Sequence, residues 1–321
     1  MSVLKIHLTY HCSAQCEHCH LRGRLAPAPV IDLDLALSVI RELQRLNGLD
    51  YVVLLGGEPG LYQKLTHALV REIKTMGLGS RVETNASWAT SAEAAQQFLA
   101  PLHQAGTQVM YSLDCFHERF IPPDRVLAAI RVSEQLKGDY VVEVPYLNFE
   151  LRNSDQDRRT SQILADIQKQ LGDGNRLRTY EGPIFFKGRA ADRLAAQVCR
   201  GRGVPKDVCD TVPWWSNGSQ STLDLLALDP EGNLSKECGI ALGNVRSSSV
   251  FQIINSFRPE THPIISKLIA QGPVALAREA AELGYVLKTD YADKCHLCQE
   301  ARDVLRRKYP ELLAPAEQYQ T

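Results

Sequence analysis

No run of 18 consecutive apolar residues occurs in this chain of 321 residues, so nothing in it reads as a transmembrane helix. Only a short, mostly apolar stretch precedes Cys12. That leaves no room for a signal peptide, and the expected location is the cytoplasm. Long runs of one charge sign are also missing. The 36 Lys and Arg residues stand against 37 Asp and Glu, for a formal net charge of −1. The chain therefore lacks the basic footprint of a nucleic-acid binder and the polybasic patch of a membrane-surface protein. Apolar residues are not scarce: at 44% they suffice for the core of one large domain, or of a domain plus an extension.

An even cysteine count is missing too. Nine cysteines cannot all pair, and in the cytoplasm tightly clustered cysteines bind metal more often than they form disulfides. Three lie in Tyr10-His-Cys-Ser-Ala-Gln-Cys-Glu-His-Cys-His20, a C-x3-C-x2-C array of Cys12, Cys16 and Cys19. Free Cys is often a small buried hydrophobe, but Ser, Gln, Glu and His surround these three. A structural zinc site would want four ligands, commonly from C-x2-C pairs, and His11, His18 or His20 could supply the fourth. A protein-bound [4Fe–4S] cluster usually takes four cysteines, so three thiolates leave one iron open for a bound molecule.

Beyond the array the chain alternates. Short apolar, β-branched runs predict strands over Leu4–Tyr10, Tyr51–Gly56, Ser80–Asn85, Gln108–Asp114, Tyr140–Leu147 and Leu177–Phe186. Amphipathic stretches predict helices over Asp32–Leu46, Leu61–Met76, Ser91–Ala105, Asp124–Leu136 and Thr160–Leu171. Asp32 and Ser91 stand as N-caps, and Gly48, Gly77 and Gly106 as stops. Strands joined by helical crossovers argue for a parallel sheet of right-handed βαβ units. In barrels of this kind the chemistry sits at the C-terminal strand ends. The cysteine loop lies at the first such end and Gly56-Gly57-Glu58-Pro59 at the second. Thr84 and Asn85 fall at the third, Ser112, Asp114, Cys115 and His117 at the fourth, and Arg189 beyond the sixth.

The cysteine array after an apolar strand, followed one βα unit later by Gly-Gly-Glu-Pro, resembles the radical S-adenosylmethionine (SAM) enzymes. The resemblance implies an α/β fold with a partial (β/α)6 TIM-type barrel over residues 1–190. It further implies a [4Fe–4S] cluster on Cys12, Cys16 and Cys19, whose open iron takes the amino and carboxylate groups of SAM. Reductive cleavage of SAM then gives a 5′-deoxyadenosyl radical that abstracts a hydrogen atom from substrate. On the same resemblance Gly56, Gly57, Glu58 and Pro59 form the segment that receives the methionyl ammonium, with Glu58 anchoring the turn. Thr84, Asn85, Ser112 and Asp114 would hydrogen-bond the SAM ribose and carboxylate. Arg189 would pair with a carboxylate of SAM or substrate. Cys115 would serve as a hydrogen-atom donor to a substrate radical, or simply be a buried thiol. His117 and the loop histidines would transfer protons or support the ligands.

After Ala190 the alternation stops. A loop-rich stretch with Cys199, Cys209 and the pair Trp214-Trp215 runs to Ser221. Strands over Thr222–Leu228 and Leu234–Cys238 flank a turn at Asp229–Asn233, and Cys295-His-Leu-Cys298 opens a helical end. Residues 191–321 thus resemble the SPASM/twitch extension, a small β-hairpin-plus-helices domain that binds auxiliary iron–sulfur clusters. No cysteine follows Cys298, which favours the twitch form with one auxiliary [4Fe–4S] cluster. Its ligands would be Cys238, Cys295 and Cys298 with Cys209, or Cys199 in its place. Gly232 precedes Cys238 by six residues, about one more than that family's spacing, and a zinc site on the same four cysteines stays open. Trp214 and Trp215 would cover the barrel mouth or join the core.

The expected activity is radical modification of a ribosomal peptide by crosslinking, epimerisation or oxidation. The alternative is a radical dehydrogenase or mutase acting on a small molecule such as an amino sugar. A non-catalytic zinc or iron–sulfur module is the reading outside enzymes. The implied electron donor is a flavodoxin or ferredoxin.

Overall fold

The computed structural model describes residues 2–172, 177–199, 201–209, 225–236 and 238–319. Strands β1 (Ser2–His7), β2 (Leu49–Leu55), β3 (Gly79–Thr84), β4 (Gln108–Ser112), β5 (Tyr140–Tyr146) and β6 (Thr179–Pro183) alternate with helices α1 (Leu33–Asn47), α2 (Gln63–Thr75), α3 (Ala92–Gln104), α4 (Cys115–Glu118), α5 (Pro123–Gln135) and α6 (Asp155–Leu171). All five pairings among these strands are parallel. This is the partial (β/α)6 barrel.

Local chemistry sets the boundaries. Asp32 accepts the Leu35 N–H at 2.9 Å to cap α1, and Gly48 ends it at φ +63°, where only glycine turns without strain. Ser91 caps α3 in the same way. Helix α6 begins at Asp155 rather than Thr160, because Ser154 and Asp157 form a reciprocal capping box. The sixth strand is shorter than expected: pairing with β5 covers only Thr179–Pro183. Asp114 caps a short helix that the strand-four reading did not foresee.

The loop-rich stretch carries two short helices, α7 (Arg189–Arg193) and α8 (Ala195–Val198). Trp214, Trp215 and the start of the expected hairpin strand, Thr222–Asp224, lie outside the described residues. The hairpin strands are β7 (Leu225–Leu228) and β8 (Asn233–Lys236), and a third strand, β9 (Ile240–Asn244), returns against β8. The hairpin is not a separate sheet. Strand β7 runs parallel to β1, with Leu4 opposite Leu226 and Ile6 opposite Leu228. One nine-stranded sheet results, in the order β6-β5-β4-β3-β2-β1-β7-β8-β9. Helices α9 (Val250–Ser256), α10 (Ile265–Gln271), α11 (Pro273–Ala281) and α12 (Lys294–Leu305) follow.

Strand side chains alternate faces. Leu4, Ile6, Val52, Leu54, Val82, Val109, Tyr111, Val142 and Val144 form the main core with the helices. The concave face carries Val53 and Leu55, clustered with Tyr10 and Leu21 of the cysteine loop, and polar residues from the other strands. Ile264, Leu276, Leu297 and Leu305 centre a second core built wholly from the C-terminal part. Among the described residues no helix is long and apolar enough to cross a membrane.

Candidate functional site: two cysteine constellations

The loop after β1 is pinned at both ends by backbone bonds. Ile31 N–H donates to Leu8 O (2.8 Å), Arg24 N–H to Tyr10 O (2.9 Å) and Cys12 N–H to Arg24 O (2.7 Å). Within it each thiol meets a donor. Gly23 N–H points at Cys19 Sγ (3.3 Å), Asn85 Nδ2 at Cys12 Sγ (3.6 Å), and His117 bonds the Cys16 side chain. Arg189, at the start of α7, straps the loop from across the barrel. Its guanidinium donates to Cys16 O at 2.8 Å and to Gly23 O, and its backbone N–H donates to Cys19 O at 3.0 Å. The contacts that the structure gives Arg189 are to carbonyl groups of the cysteine loop.

The Gly-Gly-Glu-Pro segment lies directly against this loop. Gly57 N–H donates to Thr9 O (2.7 Å) and Glu58 N–H to His11 O (2.9 Å). A Cβ on Gly57 would sit 1.8 Å from His11 O, and one on Gly56 2.5 Å from Thr9 O. The two glycines are the condition for this backbone approach. Pro59 opens a 3₁₀ turn, Pro59–Tyr62. Glu58 is fully buried and accepts from Gly60 N–H (2.7 Å), the Thr84 hydroxyl (2.6 Å) and Asn85 N–H (2.9 Å). Burial pushes its pKa up against those donors. Through these three bonds Glu58 holds the turn against the third strand end. Thr84 is spent on that anchor. Asn85 faces the loop and also bonds Ser13.

At the end of β4, Asp114 is buried and committed. Its Oδ1 accepts the N–H groups of Phe116 (2.8 Å) and His117 (2.9 Å). Its Oδ2 lies 2.6 Å from His117 Nδ1 and 3.5 Å from His18 Nε2. Burial works against its charge, but the two imidazoles and these N–H groups hold its pKa below the usual carboxylate range. Burial holds His18 neutral, pushed down to about 4 despite Asp114, while its ring stacks on Phe116. Cys115 packs against α6, its N–H on Thr160 Oγ1 at 3.2 Å. Burial raises its thiol to about 11, so it stays S–H at neutral pH. Ser112 remains partly open at its strand end.

The second constellation lies in the C-terminal part. Cys209, Cys238, Cys295 and Cys298 line one cavity with Lys187, Lys294 and Arg302. Asp293 caps α12 through His296 N–H at 2.7 Å, which places the Cys295–Cys298 pair in the first turn. Arg302 is fully buried. It donates to Cys238 O, to Tyr319 Oη at 2.8 Å and to the Cys298 side chain. Cys199 is not among the residues lining this cavity; it ends α8, close to the charges of Asp290 and Lys288. No sequence signal pointed to Arg302 or to the Arg189 strap, since each depends on contacts far apart in the chain.

The sequence profile of the Radical SAM superfamily matches residues 6–141, the stretch that carries the cysteine array and the Gly-Gly-Glu-Pro strap. Over these residues the chain thus carries a match to a radical SAM domain. No curated protein matches its sequence. Among solved structures it is similar to native anSMEcpe with bound AdoMet, with TM-score 0.53 and 10% identity over 97% of this chain and 98% of that one. For a hexahistidine-tagged form of anSMEcpe with bound AdoMet the values are 0.51 and 11%, over 97% and 93%. For native anSMEcpe with bound AdoMet and Cp18Cys peptide they are 0.50 and 10%, over 97% of both chains. The likeness is one of fold, and it spans the C-terminal extension as well as the barrel.

The radical SAM match implies a [4Fe–4S] cluster and SAM, and the donor set fits such a group. Around one zinc ion, sulfurs bound at about 2.3 Å would lie about 3.8 Å apart. Among the described residues, the one group of three compact enough for a single ion, with ligand atoms within 4.8 Å of one another, is Cys16, His18 and His117. Cys12, Cys16 and Cys19 are spread wider, as a multinuclear cluster requires, and so are the four cysteines of the second cavity. Burial also raises Cys12 and Cys295 to about 12 and Cys298 to about 11. Thiols so enclosed ionise when a metal supplies the compensating charge.

Proposed function

We propose that this radical SAM enzyme modifies a ribosomally made peptide, with the SAM cluster on Cys12, Cys16 and Cys19 and a second [4Fe–4S] cluster on Cys209, Cys238, Cys295 and Cys298. The observation that carries the reading is the meeting of the three-cysteine loop with the Gly56–Pro59 strap at the C-terminal end of a parallel sheet. Fold likeness over nearly the whole chain to a protein solved with AdoMet and a peptide supports the substrate class.

Cys12, Cys16 and Cys19 would hold the cluster, which would supply the electron for SAM cleavage and so the means of hydrogen abstraction. The chain's own residues do the rest. Gly23, Asn85 and His117 donate to the three sulfurs, which stabilises thiolate and fixes each ligand in place. Arg189 locks the loop's carbonyls. The glycine strap offers its carbonyl groups to the methionyl ammonium, and Ser112 and Asn85 are the polar side chains left to meet the rest of SAM. The electron comes from a flavodoxin- or ferredoxin-type donor. Residues 1–190 form the catalytic unit, and residues 191–321 carry the auxiliary cluster.

The test is to count iron and sulfide in anaerobically reconstituted protein and to follow SAM cleavage on reduction. Two clusters give about eight irons, and a Cys12/Cys16/Cys19 triple alanine variant keeps about four and cleaves no SAM. Iron unchanged in that variant, or SAM cleavage surviving it, overturns the assignment.

A further inference from the structure

Cys295, Cys298 and Arg302 stand at i, i+3 and i+7 of α12 and so share one helix face. All three line the cavity that also takes Cys209 and Cys238. Arg302 is only 1% exposed, and its guanidinium is held from three sides. Nη1 donates to Cys238 O between β8 and β9 and to Tyr319 Oη (2.8 Å), and Nη2 donates to Gln299 Oε1 (3.1 Å). Each of these acceptors is neutral. The Tyr319 ring centre lies 5.5 Å from Cζ, and it offers a quadrupole but no charge. The Nε of Arg302 is buried without a hydrogen-bond partner, and among the described residues no carboxylate pairs with this side chain.

A guanidinium cannot shed its proton inside a protein. A fully buried one that lacks an anion costs free energy, and native structures rarely keep it. The cavity wall shows where the anion belongs. Lys187 and Lys294 join Arg302 on that wall, and among the described residues no Asp or Glu does. The groups there able to carry negative charge are the four cysteines, as thiolates. A [4Fe–4S] cluster held by four thiolates is an anion, and each added electron makes it more negative. Net charge and hydrogen bonds at the sulfurs are among the terms that set its potential. A fixed positive charge beside it therefore favours the reduced form over the oxidised one. Lys187 and Lys294 are half-buried, so solvent screens them more than it screens Arg302.

We propose that Arg302 is the fixed counter-charge of the auxiliary cluster and raises its reduction potential. This rests on the second cluster of the proposed function, and it adds the residue that balances that cluster's charge. On reduction one electron enters the cluster from an external donor. No bond forms or breaks, and the guanidinium keeps its proton throughout.

The test is an anaerobic redox titration with dithionite, followed by EPR, of the full chain carrying the Cys12/Cys16/Cys19 triple alanine change, so that the auxiliary cluster alone gives the signal. Arg302→Met removes the charge at similar length, and Arg302→Lys keeps it. At a fixed potential the ratio of reduced to oxidised cluster should fall about tenfold in Arg302→Met, a shift of about 59 mV for one electron. Arg302→Lys should stay close to its parent. A potential unchanged in Arg302→Met, or lowered equally in both variants, overturns the assignment. Iron uptake gives a second readout. Iron kept by Arg302→Lys and lost from Arg302→Met supports the need for charge, whereas iron lost from both shows a purely structural role and overturns it. Failure of the underlying reading shows separately, as a triple alanine parent that holds zinc or no metal in place of about four irons, and the counter-charge role falls with it.

Discussion

The Thr84 hydroxyl donates to the buried carboxylate of Glu58 across 2.6 Å, and this bond ties the third strand end to the Gly-Gly-Glu-Pro strap. Thr84 has no other way to point its proton, because its oxygen already accepts from Trp88 Nε1 (2.8 Å) and Ala86 N–H (3.1 Å). Glu58 therefore holds three donors at once. Glu58→Ala strands all of them in a dry site and is expected to destabilise the fold by about 3 kcal/mol. Glu58→Gln keeps one acceptor oxygen but turns an NH₂ toward a donor, and should fall between. Urea unfolding of the two variants measures the order. Equal stability of wild type and Glu58→Ala would remove the anchor role.

Gly57 and Gly77 make a matched pair of substitutions. Alanine at Gly57 puts a methyl 1.8 Å from His11 O, backbone that cannot yield. Alanine at Gly77 meets open space, and only the left-handed φ of +73° resists it. Gly77→Ala should cost about 1 kcal/mol and leave iron content and SAM binding intact. Gly57→Ala should separate the strap from the cysteine loop and abolish SAM binding. Thermal melts with iron analysis and a SAM-binding titration distinguish the two.

The barrel was legible because its signals are local. Alternating apolar runs, the caps at Asp32 and Ser91 and the stops at Gly48, Gly77 and Gly106 each act within a few residues. The cysteine loop and its strap were legible as well, since both occupy single short segments. What stayed hidden depends on distant contacts. The register of Leu4 with Leu226, which merges hairpin and barrel into one sheet, has no signature in either strand. Arg189 read as a partner for a carboxylate of SAM or substrate, and its carbonyl contacts went unseen because they lie 173 and 166 residues away along the chain. The earlier start of α6, at Asp155, was missed for a different reason: a capping box of Ser154 with Asp157 uses an Asp where the usual pattern has Glu or Gln.

The sequence favoured Cys209 only slightly over Cys199, and the structure separates them. Cys209 shares a cavity with Cys238, Cys295 and Cys298, whereas Cys199 ends α8. Cys209→Ala should therefore lower reconstituted iron from about eight toward about four per chain, with the second cluster lost or reduced in nuclearity. Cys199→Ala should leave both clusters in place. Iron and sulfide counts with EPR of the reduced proteins report the difference. Loss of iron in Cys199→Ala alone would return the fourth ligand to Cys199.

Glu279 joins three parts of the C-terminal helical layer. Its Oε2 accepts from Lys267 Nζ of α10 at 2.5 Å, and its Oε1 accepts from Lys308 Nζ and Tyr309 Oη at 2.6 Å each. Burial opposes the charge, but these three donors bring its pKa down to about 2. The unfolded value is near 4.3, so the unfolded chain binds the proton more tightly in this range. The stabilisation is thus fully present above about pH 5 and is lost as pH falls through about 4 toward 2. Because Lys308 is 44% exposed, solvent screening limits the gain to about 1–2 kcal/mol at neutral pH. Glu279→Gln should lower the melting temperature at pH 7, and the gap to wild type should close as pH approaches 2. Melts of both proteins across that range check the sign: a gap that widens on acidification, or one that does not change with pH, would mean that this carboxylate does not clamp α10 to the segment after α12 through its charge.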